Sequence, residues 1–136
     1  MCGISGLIGW PGSGHDGQLT IKKMTNSLHH RGPDDSGLWI NPKKKLYLGH
    51  NRLSILDLSK SGSQPMTSLC ERYVITFNGE IYNHLTIRQL VEKKRKIIWR
   101  GTSDTETLVE SISNLGLEKT LQLARGMFSF CVFDNK

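Results

Sequence analysis

One short segment near the end of the chain, Phe128–Phe133, most restricts the folds that this chain can adopt. Its sequence FSFCVF is apolar at nearly every position, so a strand built from it has two apolar faces. Such a strand has to be covered by other elements on both sides. The segment is also far shorter than the ~20 residues of a membrane-crossing helix. We therefore expect a buried strand inside a layered domain.

Periodicity and turn residues predict the remaining elements of an α+β domain. Strands are predicted at Gly3–Ile8, Leu46–Gly49, Leu53–Leu56 and Tyr73–Phe77, the last ending at the turn-forming pair Asn78-Gly79. Helices are predicted at Thr20–His29, Leu85–Lys94 and from Ser103 to Gly116. Ser103 and Glu106 have the spacing of a capping box for the third helix. Residues 1–136 are expected to form one domain, with helices layered over sheet.

The positive charge of the chain is concentrated in two lysine-rich runs. The chain has 18 Lys and Arg against 12 Asp and Glu, a net charge of +6. The runs Lys43–Lys45 and Lys93–Lys96 contain no aromatic residues that would stack on bases. We therefore expect solvated lysine-rich surfaces and no nucleic-acid or membrane partner. A nucleic-acid binder is the weakest alternative.

The cysteines and histidines indicate neither a disulfide framework nor a metal site. The three cysteines are Cys2, Cys70 and Cys131, and no secretory signal pattern precedes them, so we expect a reducing, cytoplasmic compartment. None of the five histidines has the ligand spacing of a zinc site. A glycine-rich phosphate-binding loop is also missing from the sequence. We therefore expect no metal and no cofactor in this chain.

Cys2 becomes the N-terminal residue if Met1 is removed, and an N-terminal cysteine has both a thiol and a free α-amine. A thiol has a reference pKa of about 8.5 and needs a base, whereas an N-terminal amine has a pKa of about 7.7–8.0 and keeps a neutral fraction at pH 7. If Met1 is removed, Cys2 carries a nucleophile and a base on one residue. If Met1 stays, that nitrogen is an amide without a basic lone pair.

Seven short sequence blocks occur in order along nearly the whole chain. They are MCGISG at 1–6, HRGPDD at 30–35, LGHNRLSI at 48–55, QPM at 64–66, FNGEIYN at 77–83, SDTE at 103–106 and GMFSF at 126–130. Together they closely resemble the glutaminase domain of class II glutamine amidotransferases, in particular the asparagine synthetase (glutamine-hydrolysing) family. The resemblance implies an N-terminal-nucleophile hydrolase fold, a four-layer αββα sandwich of two antiparallel sheets. It also implies that the chain is incomplete at its C-terminus.

The resemblance implies a catalytic centre of three residues. Cys2 would attack the side-chain amide of glutamine, release ammonia and form a glutamyl thioester that water hydrolyses. The side-chain amide of Asn78 and the backbone N–H of Gly79 would hold the oxyanion of each tetrahedral intermediate. From the residues alone, Asn78-Gly79 is a hairpin-turn signal.

The resemblance also implies a site for the two charged ends of free glutamine. Arg52 would bind the α-carboxylate, while Asp104 and Glu80 would bind the α-ammonium group. An acidic residue in the first turn of a capped helix is also stabilising by itself, and Asp104 can fill both roles. The family's pocket lining further maps onto Asn78 and Gly79 and onto the backbone of Leu53, Ser54, Ile55 and Leu56. Arg31 and Asp34 lie in a Gly-Pro loop and are given structural or interface roles.

Hydrolysis of L-glutamine to glutamate and ammonia is the function that the resemblance implies. The ammonia would pass to an ATP-dependent synthetase domain, in cis or in trans, most often for asparagine synthesis. That domain, with its ATP and Mg²⁺, is expected outside the 136 residues. The resemblance does not specify the ammonia acceptor, the removal of Met1 or the activity of the shortened chain. It also leaves the oligomeric state unspecified, with a homodimer as one option.

Two other functions fit part of the pattern. An N-terminal-nucleophile amidase for a different amide would share Cys2, Asn78 and Gly79 but would not need Arg52 and Asp104. A non-catalytic remnant or regulatory module would bind glutamine or a synthetase partner and would not depend on the thiol of Cys2.

Overall fold

The computed structural model describes residues 2–54 and 59–136. The strands are β1 (Gly3–Ile8), β2 (Asp35–Asn41), β3 (Leu46–Arg52), β4 (Met66–Thr67), β5 (Tyr73–Ile81) and β6 (Gly126–Asp134). The helices are α1 (Gly14–Ser27), α2 (His84–Lys94), α3 (Asp104–Leu115) and α4 (Leu117–Leu123). The strands form two antiparallel sheets, sheet A with order β1-β3-β2 and sheet B with order β4-β5-β6.

The two sheets lie between helical layers. Apolar side chains from β3 and β5 pack between the sheets, and the buried ones are Leu46, Leu48 and Val74. The opposite face of β5 packs on α2 and α3 around a larger core that includes Ile75, Phe77, Ile87, Val91, Leu108 and Ile112. Helix α1 covers the outer face of sheet A, where Ile21 is fully buried. The predicted α+β sandwich of two antiparallel sheets is confirmed.

Helix α1 begins at Gly14 rather than at the predicted Thr20 and ends at Ser27 rather than at His29. Ser13 caps it, because its hydroxyl accepts from the Asp16 N–H at 3.1 Å and the Asp16 carboxylate accepts from the Ser13 N–H at 3.3 Å. This reciprocal pair satisfies two N–H groups of the first turn and sets the helix start. The apolar spacing that predicted the helix marks only its later, core-facing part.

Strand β5 continues through the pair that predicted a turn. It runs to Ile81, and Gly79 pairs with Phe128 of β6, so the predicted stop at Asn78 was wrong. Gly79 has φ of +149°, and a Cβ there would lie 2.3 Å from the Met127 carbonyl oxygen. The glycine therefore permits an irregular strand that lies very close to β6, instead of closing a hairpin.

Two further strand predictions need correction. Strand β3 runs without a break from Leu46 to Arg52, beyond the predicted end at Gly49. Leu53 and Ser54 were predicted to begin a separate strand, but they have no regular structure. The rest of that predicted strand, 55–56, lies outside the described residues. Strand β6 is a strand as predicted, but none of its residues is fully buried. It lies at the edge of sheet B, so within the described part of the chain its outer side has no strand neighbour.

His50 links the two sheets and gives the fold a pH dependence. It is 1% exposed, and its Nε2 lies 3.1 Å from the Phe77 carbonyl oxygen. Burial lowers the pKa of His50 from 6.5 to about 4. Between these values the unfolded chain binds more protons than the folded one, so lower pH favours unfolding. We expect the free energy of unfolding to fall by about 3 kcal/mol from this residue as the pH drops from 6.5 to 4.

Urea unfolding at several pH values, compared between the parent and His50→Gln, measures this contribution. Glutamine can keep the donor to the Phe77 carbonyl without titrating. The acid limb of the stability curve should therefore be shallower in the variant, and identical slopes in the two proteins would contradict the assignment.

Candidate active site

A cavity of about 270 Å³ collects most of the residues that the sequence singled out. The predicted residues on its wall are Cys2, Arg52, Leu53, Asn78, Gly79, Glu80 and Asp104. Ser54 does not line it, and its N–H donates instead to the Asp34 carboxylate at 2.7 Å. Ile55 and Leu56 lie outside the described residues. Side chains from both sheets and from the start of α3 therefore meet at one place.

Strand pairing explains why Cys2 lies on this wall. Gly3 pairs with Asn51, so the start of β1 lies beside the end of β3. The Cys2 thiol points at the Leu53 carbonyl oxygen at 3.7 Å and accepts from the Leu53 N–H at 3.4 Å. Arg31 Nε donates to the Cys2 carbonyl at 3.1 Å. The residue is thus held at its sulfur and at its backbone, and Arg31 has a structural contact with it.

Asn78 and Gly79 bring amide groups to the cavity from the middle of β5. Alternation along the strand places Asn78 on the same face as Val74, toward sheet A. Its Oδ1 atom is buried and has no hydrogen-bond partner within residues 2–54 and 59–136. A carboxamide and the next peptide N–H on a cavity wall can donate two hydrogen bonds to an oxygen that becomes negative.

Asp104 supplies a buried carboxylate at the first residue of α3. The residue is 5% exposed, and its Oδ2 accepts from the Ile81 N–H at 2.9 Å, which ties α3 to the end of β5. Burial raises the pKa of Asp104, and the hydrogen bond from Ile81 opposes that rise. A cation bound in the cavity would stabilise the ionised carboxylate. Glu80 lies on the same wall but is exposed to solvent.

Arg52 brings a guanidinium to the cavity lining from the end of β3. It is 8% exposed, and its Nη1 donates to the Ser59 carbonyl at 2.8 Å. Gly62 lies against it so closely that a Cβ there would be 2.1 Å from Nη2. The backbone of 59–62 therefore fixes where the guanidinium can lie.

Glu106 holds the loop that precedes α3, in a way the sequence did not predict. Ser103 caps the helix as expected, accepting from the Glu106 N–H at 3.2 Å. The fully buried Glu106 carboxylate does not complete a capping box; it accepts from the backbone N–H groups of Arg100 at 2.8 Å and Gly101 at 3.0 Å. Arg88 reaches the same carboxylate at 3.5 Å. This network fixes the approach to Asp104.

Gln64 also lines the cavity and contacts both β5 and α3, although its block, QPM at 64–66, indicates no role for it from sequence alone. Within the described ranges no three His, Cys, Asp or Glu side chains are placed to hold a metal ion. In the same ranges, no helix has the length and apolar character needed to cross a membrane.

Comparison with protein families shows which family this chain belongs to. The model of the glutamine amidotransferase domain family matches residues 1–136. The chain belongs to this family. In a structural comparison, the B. subtilis glutamine phosphoribosylpyrophosphate amidotransferase in complex with ADP and GMP matches with a TM-score of 0.74 at 20% identity, over 98% of this chain and 35% of that one.

Curated relatives of this amidotransferase domain are asparagine synthetases, which confirms the resemblance seen in the sequence. The chain is 38% identical to putative asparagine synthetase [glutamine-hydrolyzing] 2 of Methanocaldococcus jannaschii, covering 100% of this chain and 28% of that protein. It is 36% identical to asparagine synthetase 3 of Bacillus subtilis and 33% identical to asparagine synthetase 1 of Arabidopsis thaliana, covering 100% of this chain and 22% of each relative. The chain thus spans about a quarter of the length of these relatives.

Proposed function

We propose that this domain hydrolyses L-glutamine to L-glutamate and ammonia by nucleophilic catalysis at Cys2. The observation that carries the proposal is the composition of one cavity wall. A thiol, a pair of amide donors, a guanidinium and a buried carboxylate share it. Free glutamine offers a matching set of groups, namely a carboxamide, an α-carboxylate and an α-ammonium.

In the proposed mechanism, the Cys2 sulfur attacks the carboxamide carbon of glutamine. The carbonyl oxygen becomes an oxyanion that accepts from the Asn78 side-chain amide and the Gly79 N–H. The α-amine of Cys2, free once Met1 has been removed, takes the thiol proton and passes it to the departing nitrogen, so that ammonia leaves and a thioester remains. Water adds to the thioester through a second oxyanion, and the Cys2 thiol is restored as glutamate leaves.

The substrate's charged ends have two matching partners. The Arg52 guanidinium binds the α-carboxylate, and Asp104 with Glu80 binds the α-ammonium group. Backbone groups of Leu53 lie on the cavity wall, and those of 54–56 are proposed to extend it. Burial of Asp104 supports this assignment, because a carboxylate with a raised pKa gains most from a bound cation.

We further propose that residues 1–136 form the glutaminase part of a larger protein. The names of the relatives support asparagine as the product of that protein. Ammonia released at Cys2 would then pass to an ATP-dependent synthetase domain in cis or in trans, where ATP and Mg²⁺ act. Cys2, Cys70 and Cys131 are all free thiols, which supports a reducing compartment such as the cytoplasm.

Covalent trapping tests the proposal. The natural full-length protein is incubated with a chloroketone analogue of glutamine, and its mass and peptide map are recorded. We expect loss of Met1 and a single adduct on Cys2, formed more slowly in the presence of L-glutamine but not of L-asparagine. Labelling of Cys70 or Cys131 in preference to Cys2, or a retained Met1 in a protein that still releases ammonia, would overturn it.

Gly62→Ala is expected to raise the KM for glutamine about tenfold or more without a matching loss of kcat. The new Cβ would lie 2.1 Å from Arg52 Nη2, so the guanidinium, the mobile end of a long side chain, has to move. Its bidentate contact with the α-carboxylate is then lost. The thermal midpoint should fall by a few degrees at most, because the Arg52 Nη1 hydrogen bond to the Ser59 carbonyl is weakened by the same movement.

Steady-state kinetics of Gly62→Ala are compared with those of Gly6→Ala. At Gly6 the added Cβ would meet Leu48 Cδ2 at 3.5 Å, an ordinary contact, so parental constants are expected there. An unchanged KM in Gly62→Ala would show that Arg52 does not bind the substrate carboxylate.

A further inference from the structure

Gln64 connects the two elements that carry opposite ends of the site. The residue is 7% exposed and precedes Pro65 in the segment leading into β4. Its Oε1 accepts from the Phe77 N–H at 2.7 Å, and its Nε2 donates to Thr105 Oγ1 at 3.2 Å. Both polar atoms of one buried amide are therefore used, one by β5 and the other by α3.

The two contacts fall next to residues that we assign to the substrate. Phe77 immediately precedes Asn78 and Gly79, the oxyanion donors, and Thr105 immediately follows Asp104, the ammonium-binding carboxylate. The position of Gln64 itself is restricted, because a Cβ at Gly37 of β2 would lie 2.0 Å from the Gln64 carbonyl oxygen. Gln64 thus bridges the two ends from a closely packed backbone position.

We propose that Gln64 is a positioning residue that fixes the spacing between the oxyanion donors of β5 and the carboxylate of Asp104. This inference rests on the proposed function. The spacing sets which substrate reaches both groups at once. Glutamine and asparagine differ by one methylene between the carboxamide and the α-carbon, so a fixed spacing favours glutamine. Gln64 thereby contributes to substrate selection through its two hydrogen bonds.

Each hydrogen bond of Gln64 has its own kinetic consequence. The bond to Phe77 fixes the strand that carries the oxyanion donors, and its loss lowers kcat. The bond to Thr105 fixes the start of α3, which carries Asp104, and its loss raises KM. A side chain that only filled space would not produce this separation.

The test uses the natural full-length protein and four variants. Gln64→Met, of similar length, loses both hydrogen bonds, and we expect kcat to fall and KM to rise, each about tenfold. The preference for glutamine over asparagine in kcat/KM should fall as well. Thr105→Val should raise KM with kcat unchanged, and Thr105→Ser, which keeps the hydroxyl, should restore parental constants. Gln89→Met, at an exposed position of α2, is the matched control.

A second measurement does not depend on glutamine hydrolysis. Site-resolved hydrogen exchange should show the Phe77 amide exchanging about tenfold faster in Gln64→Met than in the parent, and unchanged in Gln89→Met. If Gln64→Met fails to fold, the Thr105→Val and Thr105→Ser pair still decides between a positioning and a space-filling role.

The outcomes separate the two proposals. A parent protein that releases no ammonia from glutamine overturns the proposed function and this inference with it. An active parent whose Thr105→Val variant keeps the parental KM, or whose Gln64→Met variant keeps the parental selectivity, overturns only the positioning role of Gln64.

Discussion

Replacing Cys2 with alanine in the natural full-length protein is expected to lower the rate of glutamine hydrolysis by about 10⁴-fold or more. The variant keeps the cavity, the proposed oxyanion donors and the charged groups proposed to bind the substrate, but it cannot form a thioester. Glutamine binding should therefore persist, because Arg52 and Asp104 are unchanged. Ammonia release and glutamine binding by calorimetry are the two measurements.

Three controls define this result. Cys70→Ala and Cys131→Ala remove free thiols away from the cavity wall and should leave the rate unchanged. A variant that retains one extra residue before Cys2 keeps the sulfur but turns its α-amine into an amide, so it should be nearly as inactive as Cys2→Ala. Undiminished hydrolysis by Cys2→Ala would remove the thioester mechanism, whereas glutamine binding without hydrolysis in the parent would favour the non-catalytic alternative.

Asn78→Ala is expected to lower kcat by about 10²–10³-fold, which corresponds to about 2.7–4 kcal/mol of lost stabilisation of the transition state. In the proposed mechanism the Asn78 amide donates to an oxygen that carries charge only in the tetrahedral intermediates. KM should therefore stay within a few-fold of the parental value. Asn78→Asp retains the shape of the side chain but places a carboxylate against the oxyanion, so it should be no more active than Asn78→Ala.

Single-turnover kinetics with glutamine measure the chemical step directly in these variants. Asn51→Ala would be a poor control, because Asn51 Nδ2 donates to the Thr25 carbonyl and holds α1 on sheet A. Asn26→Ala, on the exposed side of α1, is better matched. A parental kcat in Asn78→Ala, or a loss confined to KM, would contradict the oxyanion role.

Most of the residues that the sequence singled out meet at one cavity, whereas several predicted strand bounds were wrong. Cys2, Arg52, Asn78 and Asp104 could be named because each occurs in a block of several residues that resembles a family. Their meeting on one wall depends on strand pairing and on alternation along β3 and β5. The Asn-Gly pair predicted that β5 ends at Asn78, but the strand continues to Ile81. The same pair is compatible with a strand here, because Gly79 allows β6 to approach closely.

Long-range contacts explain what sequence reasoning missed. Nothing local to Gln64 indicates that its amide bonds Phe77 and Thr105, which lie far along the chain. Glu106 had the spacing of a capping residue, but its carboxylate is used by Arg100, Gly101 and Arg88 instead. Strand β6 was predicted to be buried from its composition, and within the described residues it lies at the edge of sheet B and is partly exposed.

The order of elements along the chain has a consequence for how the cavity forms during folding. All of sheet A, with Cys2 at its border, comes from residues before Leu53, whereas Asn78 and Asp104 belong to sheet B and α3. The core between the sheets joins Leu46 and Leu48 of β3 to Val74 of β5, so neither sheet is complete without the other. Because a domain generally folds as a unit, the cavity exists only once both sheets have docked.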